Sequence, residues 1–507
     1  MNNMKKFWML IFLLAMANAQ LMAQPSFISD SLDTYVKREM QRWQVPGLAV
    51  AIVKDGKIIL EKGYGVCDVK TQEPVNEHTL FMVASNSKAF TGTALANLAF
   101  QKRLSLNDPI VKLLPYFKMK DDYLTTNITI EDMLSHRIGF ETFQSDFLNW
   151  DCIKSRKDLI SNMRNSDPIY DFRTKYGYCN VCFLSAGEVI PAVTDTTWDD
   201  YLMHHFFKPL EMNRTSSTHA ELIKSENKAQ PYTIVDHQLY LLKYANIDNI
   251  GPAASLNSSV HDLSHWLMMQ LDYGKFNGKE IFPKEVIADT WKSRTIVQDR
   301  NGKDGRNFMT YGLGWFMYDL HGKRIITHDG GANGFVTTTC FVPSEKLGVI
   351  VLTNSDANSL YSTLRNQIVN AYLETPYENY SENAYKRYTE NITKHAEEIK
   401  ALKDESAAIK KWEIQASDFV GAYHNEVYGS MTIKQTGKKL IAYFENHPSL
   451  SAELTPLKDQ KLLAIYNDPT YGVQVFDILL DAQKKVESLT VRVNDFIEFL
   501  PYSFKKK

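Results

Sequence analysis

The residues in this chain best suited to do chemistry are Ser85 and Lys88, in the run Ser85-Asn86-Ser87-Lys88. A serine hydroxyl becomes a nucleophile when a base within hydrogen-bond reach takes its proton and donors await the oxyanion that forms on the attacked carbonyl. Residues three apart on a helix share a face, so the Lys88 amine can reach the Ser85 oxygen. A serine at a helix start also lies near the positive end of the backbone dipole. The chemistry this permits is acyl transfer. The spacing alone is common, and Ser225 to Lys228 and Ser503 to Lys506 repeat it. Ser225 stands in a polar stretch and Ser503 in a basic tail, whereas Ser85 follows the apolar run Leu80 to Ala84 and opens an apolar segment. The plain alternative for such a serine is a helix cap.

Such a pair has to be held by regular elements. Apolar residues at Phe90, Ala94, Leu95 and Leu98 recur at three- and four-residue steps, predicting a buried helix from Ser85 to about Gln101. Upstream, Leu48 to Val53, the turn pair Asp55-Gly56 and Lys57 to Glu61 read as a β-hairpin. Residues 105 to 270 read as mainly helical, with Ser259-x-x-Asp262 as a capping box before Leu263 and Trp266. Strand signals return at Arg324 to Thr327, Phe335 to Phe341 and Leu347 to Thr353, and Asn358 to Leu373 reads as a helix. The expected fold is therefore α/β (α+β): a largely antiparallel sheet, completed by both ends of the region, flanked by helices around an inserted helical region. Residues 376–415 are rich in Lys and Glu and read as a charged helical connector. Short alternating runs from residue 416 to 507 read as a small, barrel-like β domain.

The segment Phe81 to Thr91 resembles the active-serine segment of the class C β-lactamase and penicillin-binding protein superfamily. Val45 to Val53 resembles that family's opening strand, Met133 to Phe140 its post-helix motif and Tyr311 to Trp315 a later strand entry, so the resemblance covers about residues 30 to 375. Tyr178-Cys179-Asn180 resembles the second motif, Tyr-x-Asn. The tripeptide recurs at Tyr244, Tyr377 and Tyr423, but only the Tyr178 copy precedes an apolar helix-like segment between the first and third motifs. His328-Asp329-Gly330-Gly331 resembles the histidine form of the third motif. The resemblance implies that Ser85 attacks, that Lys88 and Tyr178 move the proton, and that a lysine ammonium lowers the pKa of Tyr178. It also implies that Asn180 and His328 position substrate, that the glycines Gly330 and Gly331 let substrate approach the backbone, and that the N–H groups of Ser85 and Gly331 form an oxyanion hole. No metal or cofactor is called for. Two departures stand out: Cys179 in the middle of the second motif, and Arg137-Ile138 where a small polar pair is usual. Arg173 and Lys175 are either contacts for a substrate carboxylate or solvated surface charges. The C-terminal region resembles a β domain appended to such hydrolases, able to cap the site or to bind a partner.

At 507 residues the chain is long enough for two or three domains, and 44% apolar with 23% charged residues is an ordinary globular balance. A formal charge of -2 gives no overall pull toward nucleic acid or anionic lipid, which leaves a small molecule or peptide as the expected partner. Lys5 and Lys6, the apolar run Phe7 to Met16 and small residues up to Ala23 read as a signal peptide over residues 1–23, followed by a catalytic domain over 24–375. No later stretch is long and apolar enough to span a membrane, so the expected location is periplasmic or extracellular. Of the five cysteines, Cys179 and Cys182 are spaced as in a redox pair, but no βαβ context or second pair accompanies them. The reading is an exported serine hydrolase acting on a peptide or amide containing a D-amino acid, or on a small ester. The alternatives are a β-lactamase or a penicillin-binding-like sensor with little turnover, and the oligomeric state stays open.

Overall fold

The computed structural model describes residues 24–299, 302, 306–410, 412 and 414–507, so the leader expected over 1–23 lies outside the described residues. The main sheet has eight strands: β1 (Gly47–Lys54), β2 (Lys57–Gly65), β3 (Thr295–Asp299), β4 (Phe308–Tyr311), β5 (Phe316–Leu320), β6 (Lys323–Ala332), β7 (Phe335–Val342) and β8 (Leu347–Thr353). Their order is β2-β1-β8-β7-β6-β5-β4-β3, with every pairing antiparallel. The expectation that both ends of the region complete one sheet is met where β1 pairs with β8, Val50 facing Val351. Strands β3, β4 and β5 extend the sheet beyond what the pattern of the sequence predicts.

The helices of eight residues or more among the described residues are α1 (Leu32–Trp43), α2 (Ser87–Phe100), α3 (Asn180–Gly187), α4 (Val260–Leu271), α5 (Leu360–Tyr372) and α6 (Tyr380–Ala408). They explain why β1, β7 and β8 are buried on both faces rather than alternating. Leu48, Val50 and Ile52 of β1 join a core with α1 and α5, while Ala49, Ala51 and Val53 face the other way, into a core with α2 and α4. Helix α2 is buried at every position from Ser87 to Leu98, including the polar Ser87, Lys88, Thr91, Thr93 and Asn97. The Ser259 hydroxyl caps α4 by accepting the Asp262 N–H, but the Asp262 carboxylate does not return to close a capping box. It accepts instead from the N–H groups of Arg214 and Thr215. Helix α6 is charged and largely exposed, tied to α1 at its start by the Trp43 indole N–H donating to Ser381 Oγ (2.8 Å).

Eight further strands, from Gly421–Asn425 to Tyr502–Lys506, form a closed antiparallel barrel, with Tyr423 paired to Lys506 at the seam. The barrel is joined to the catalytic region by an apolar plug. Phe147, on the short helix Asp146–Asn149, is 1% exposed. Its ring stacks on His447 and Tyr502 (centroids 4.8 and 5.6 Å apart) and also meets Tyr428, Phe444 and Tyr471. Replacing Phe147 by Ala leaves a hole among these rings and is expected to cost about 3–5 kcal/mol. Urea unfolding followed by tryptophan fluorescence measures it, and a loss below about 1 kcal/mol would show that the ring is not buried as described.

Candidate active site

The site begins with a strained turn. Ser85 lies in a 3-10 turn, Ala84–Asn86, that leads directly into α2, and Ala84 has φ 47°. A left-handed residue with a side chain costs on the order of 1 kcal/mol or more and persists where its surroundings over-determine it. Here they do. The Val83 N–H donates to the Leu256 carbonyl (2.9 Å), and Asn86 Nδ2 donates to the Val83 carbonyl (2.9 Å) and to Thr337 Oγ1 on β7 (3.0 Å). The Ser87 hydroxyl donates to the Ala84 carbonyl (2.6 Å) and accepts the Leu256 N–H (3.0 Å). The two spacer residues between Ser85 and Lys88 therefore pin the turn that presents the serine. Gly330 on β6 completes the clamp, because a Cβ there would fall 2.1 Å from the Val83 carbonyl oxygen. The space at Gly330 admits the protein's own backbone, whereas the sequence reading assigned it to substrate. Gly331 is open by comparison: a Cβ there would meet only Phe496, at 3.3 Å.

Lys88 is fully buried and its Nζ has three partners: Asn180 Oδ1 (2.6 Å), the Ala253 carbonyl (2.9 Å) and Ser85 Oγ (3.1 Å). The first two can only accept. A neutral amine has two N–H bonds and one lone pair, so those carbonyls consume both N–H groups and leave the lone pair facing the serine hydroxyl. Burial favours that form by holding the Lys88 pKa well below its ordinary value, opposed by the charge of Asp146. Asp146 is itself pushed up to about 7 by burial, against the amide donors of Asn149 and Asn180 and the pull of Lys88.

Asn180 opens α3 and links these groups, accepting from Lys88 through Oδ1 and donating from Nδ2 to Asp146 Oδ2 (2.6 Å). Both ends of its amide are thus engaged in setting the lysine. Tyr178 presents its ring to Lys88, with Nζ 4.5 Å from the centroid. Burial raises its pKa, with the hydrogen bond to Ser85 acting the other way. This reverses the sequence expectation of a tyrosine acidified by a lysine ammonium: burial moves Tyr178 in the opposite direction. Cys179 and Cys182 form a disulfide, and Cys179 Sγ accepts the Cys182 N–H at the start of α3. The pair thus braces the second motif. His136, from the post-helix motif, lies between the rings of Tyr178 and Tyr311 and accepts the Cys179 N–H at Nδ1 (3.0 Å).

His328 is 1% exposed. Its Nδ1–H donates to the Asp329 carbonyl (2.7 Å), so Nε2 accepts the Tyr311 hydroxyl (3.0 Å). Burial and the proximity of Lys88 push its pKa down to about 3, which keeps it neutral. With both ring nitrogens occupied, His328 reaches substrate only through the strand it holds. Arg173 is paired with Asp132 and Lys175 lies over the Tyr170 ring, so neither is drawn toward Ser85. The structure therefore brings together Ser85, Lys88, Tyr178 and Asn180, with the His328–Gly331 segment beside them. Asp146, Ala253, His136 and Tyr311 also belong to the site. Of these four, His136 and Tyr311 lie in segments the sequence marks, Met133 to Phe140 and Tyr311 to Trp315, whereas Asp146 and Ala253 do not. No group of three or more His, Cys, Asp or Glu able to hold a metal occurs among the described residues.

A serine and a buried lysine on one helical turn, a Tyr-x-Asn helix start opposite, and a His-x-Gly strand alongside define the penicillin-recognising class of serine fold. The chain belongs to the Beta-lactamase family, whose match spans residues 32–373. It is similar to Protein flp of Staphylococcus aureus strain MW2, 28% identical over 346 residues, which are 67% of this chain and 66% of the relative's own length. It is also similar to the unguisins hydrolase ungD' of Aspergillus campestris, 29% identical over 65% of this chain and 61% of that one. Among solved structures, the octameric penicillin-binding protein homologue from Pyrococcus abyssi matches with a TM-score of 0.61 at 20% identity, covering 94% of this chain and 99% of that one. The crystal structure of SurE matches with a TM-score of 0.56 at 17% identity, covering 94% and 98%. At these identities the structural matches speak for the fold.

The two glycines make opposite predictions. Gly330→Ala forces the Val83–Asn86 turn away from β6 and is expected to cost about 2–3 kcal/mol. Gly331→Ala should stay within about 0.5 kcal/mol of the parent. Thermal unfolding of the two variants side by side checks this, and equal midpoints would show that β6 does not press on the nucleophile turn.

Proposed function

We propose that the protein is an exported serine acyl hydrolase working through a covalent acyl-enzyme, on a peptide or amide containing a D-amino acid or on a small ester. The observation that carries this reading is the buried Lys88 amine, 3.1 Å from Ser85 Oγ and donating to Asn180 Oδ1 and the Ala253 carbonyl, two acceptors that would turn the lone pair of its neutral form toward the serine. In this reading Ser85 Oγ attacks the substrate carbonyl carbon as its proton passes to Lys88 Nζ. The resulting oxyanion is held by the N–H groups of Ser85 and Gly331. When the tetrahedral intermediate collapses, the scissile bond breaks and the leaving group takes the proton from Lys88 by way of the Tyr178 hydroxyl. Water then repeats the cycle: its proton goes to Lys88, its oxygen bonds to the acyl carbon, and Ser85 is released with its proton restored.

The hydrolase named among the relatives supports the general class. Export is supported by the basic and apolar leader sequence and by the Cys179–Cys182 disulfide, a bond that persists in oxidising compartments. The substrate preference rests on charge. A lysine at position 328 would anchor a substrate carboxylate, while neutral His328, with both nitrogens occupied, forgoes a charge-assisted hydrogen bond of about 1.5–3 kcal/mol. Carboxylate-bearing β-lactams are therefore expected to be poor substrates.

A fluorophosphonate probe should label Ser85, and Ser85→Ala should abolish the labelling. Lys88→Arg should slow acylation at least about a hundredfold. Because a buried neutral lysine is the base, kcat/KM should hold near neutral pH and decline only as acid protonates Lys88. Labelling that survives in Ser85→Ala, or near-parental acylation in Lys88→Arg, would place the nucleophile or the base elsewhere. A chromogenic cephalosporin should be turned over more slowly than a p-nitrophenyl ester of a short acid or a D-amino-acid amide. The opposite order would make β-lactamase the better assignment.

A further inference from the structure

The barrel sends one connection back to Ser85. Between the strands Val486–Val491 and Tyr502–Lys506 the chain makes a tight turn fixed by Asn494. The Asn494 side-chain oxygen accepts the Phe496 N–H (2.9 Å), and its carbonyl accepts the N–H groups of Ile497 (2.8 Å) and Glu498 (3.2 Å). Ile497 is buried in the barrel core. Glu498 points into the catalytic region, where Oε1 accepts the Ser145 N–H (2.7 Å) and the Tyr428 hydroxyl (2.5 Å), and Oε2 accepts the Phe147 N–H (3.0 Å). A buried carboxyl group with three donors, its pKa pushed up to about 8 by burial, holds the turn in place.

With Glu498 so anchored, Phe496 and Phe499 are left 37% and 45% exposed. Neither is free of the site. Phe496 lies against Gly331 and edge-on to Trp150 (6.4 Å), whose indole N–H donates to Asn333 Oδ1 (2.9 Å) just beyond the β6 strand. Phe499 rests on Phe143 (5.4 Å), itself edge-on to Tyr178 (5.5 Å). Two rings carried by the barrel thus stand over the catalytic region, one beside the Gly331 oxyanion donor and the other behind Tyr178. A large apolar side chain left exposed beside Gly331 marks a contact surface for something apolar.

We propose that Phe496 is a specificity-determining residue: the barrel, through this ring, sets the width of the slot for the acyl group held at Ser85 and Gly331. This rests on the serine hydrolase reading above. An acyl carbonyl whose oxygen sits between those two N–H groups has to carry its substituent past the Phe496 ring. Slender apolar acyl groups fit beside it and broad ones collide.

The test keeps the leaving group constant, using p-nitrophenyl acetate, butyrate and benzoate, so that only acyl width changes. Phe496→Ala is expected to raise the ratio of kcat/KM for benzoate over acetate by about tenfold or more, the usual scale for opening a pocket, and Phe496→Trp to lower it. The thermal midpoint of each variant confirms folding, and the opposed directions of the two substitutions keep the test decisive if one folds poorly. An unchanged ratio in the folded variants, with Ser85 still labelled by fluorophosphonate, overturns the slot. Absence of labelling in the parent protein overturns the hydrolase reading instead.

Discussion

The arrangement depends on one constraint: an amine has to be kept without its proton in the middle of a protein. Moving an ammonium out of water costs several kcal/mol even after relaxation, so burial pulls the Lys88 pKa well below its ordinary value against the opposing charge of Asp146. The fold supplies that burial. Helix α2 is surrounded along its length, and Tyr178, Phe183 and the 252–256 segment close around the Lys88 end. Two carbonyl oxygens then hold the uncharged amine in one orientation. The neutrality of its neighbours follows from the same shortage of water. Burial drives His136 and His328 below their ordinary range and Tyr178 and Tyr311 above it, each toward its uncharged form, while Asp146 is raised only to about 7.

What was legible in the sequence divides along the distance between partners. Ser85 and Lys88 are three residues apart on one helix, and their relation can be read locally. Tyr178 and Asn180 are recognisable because their motif precedes an apolar helix. The core hairpin and β7 and β8 are long, apolar and bounded by turns, so they too are visible. The partners that define the chemical state of these residues are non-local and carry no local signal. Ala253 acts through a backbone carbonyl, Asp146 lies 34 residues from the Asn180 amide it receives, and nothing near residue 146 marks it. His328 was legible as a position, but its role follows from a tautomer fixed by Tyr311 and the Asp329 carbonyl, which sequence does not display.

The strands that escaped the sequence reading have physical reasons of their own. β3 is an edge strand with exposed or half-buried residues, and β4 and β5 are only four and five residues long, so their alternation is too brief to register. In the barrel, His447–Leu457 carries Pro448 and Pro456, which argue against a strand; Pro448 falls at a register shift and Pro456 is paired on one side only, so neither interrupts a two-sided ladder. The bent hydrogen bonding of Asp262 is a similar case. Ser259 caps α4 as the pattern implies, while tertiary contact with the 214–215 backbone takes the carboxylate that the pattern reserves for the cap.

The Glu498 cap has a consequence in time. The turn at Ser145–Phe147, which carries Asp146 to Asn180, receives its carboxylate from a residue 353 positions later in the chain. Bringing such distant segments together is slow compared with forming the helices and hairpins around them. The catalytic region can therefore assemble its own core while this corner waits uncapped, and the barrel has to close before Asp146 acquires its final surroundings. Completion of the Asp146 corner is thus coupled to closure of the barrel, so a chain with an unfinished barrel carries Ser85 and Lys88 without their full supporting network.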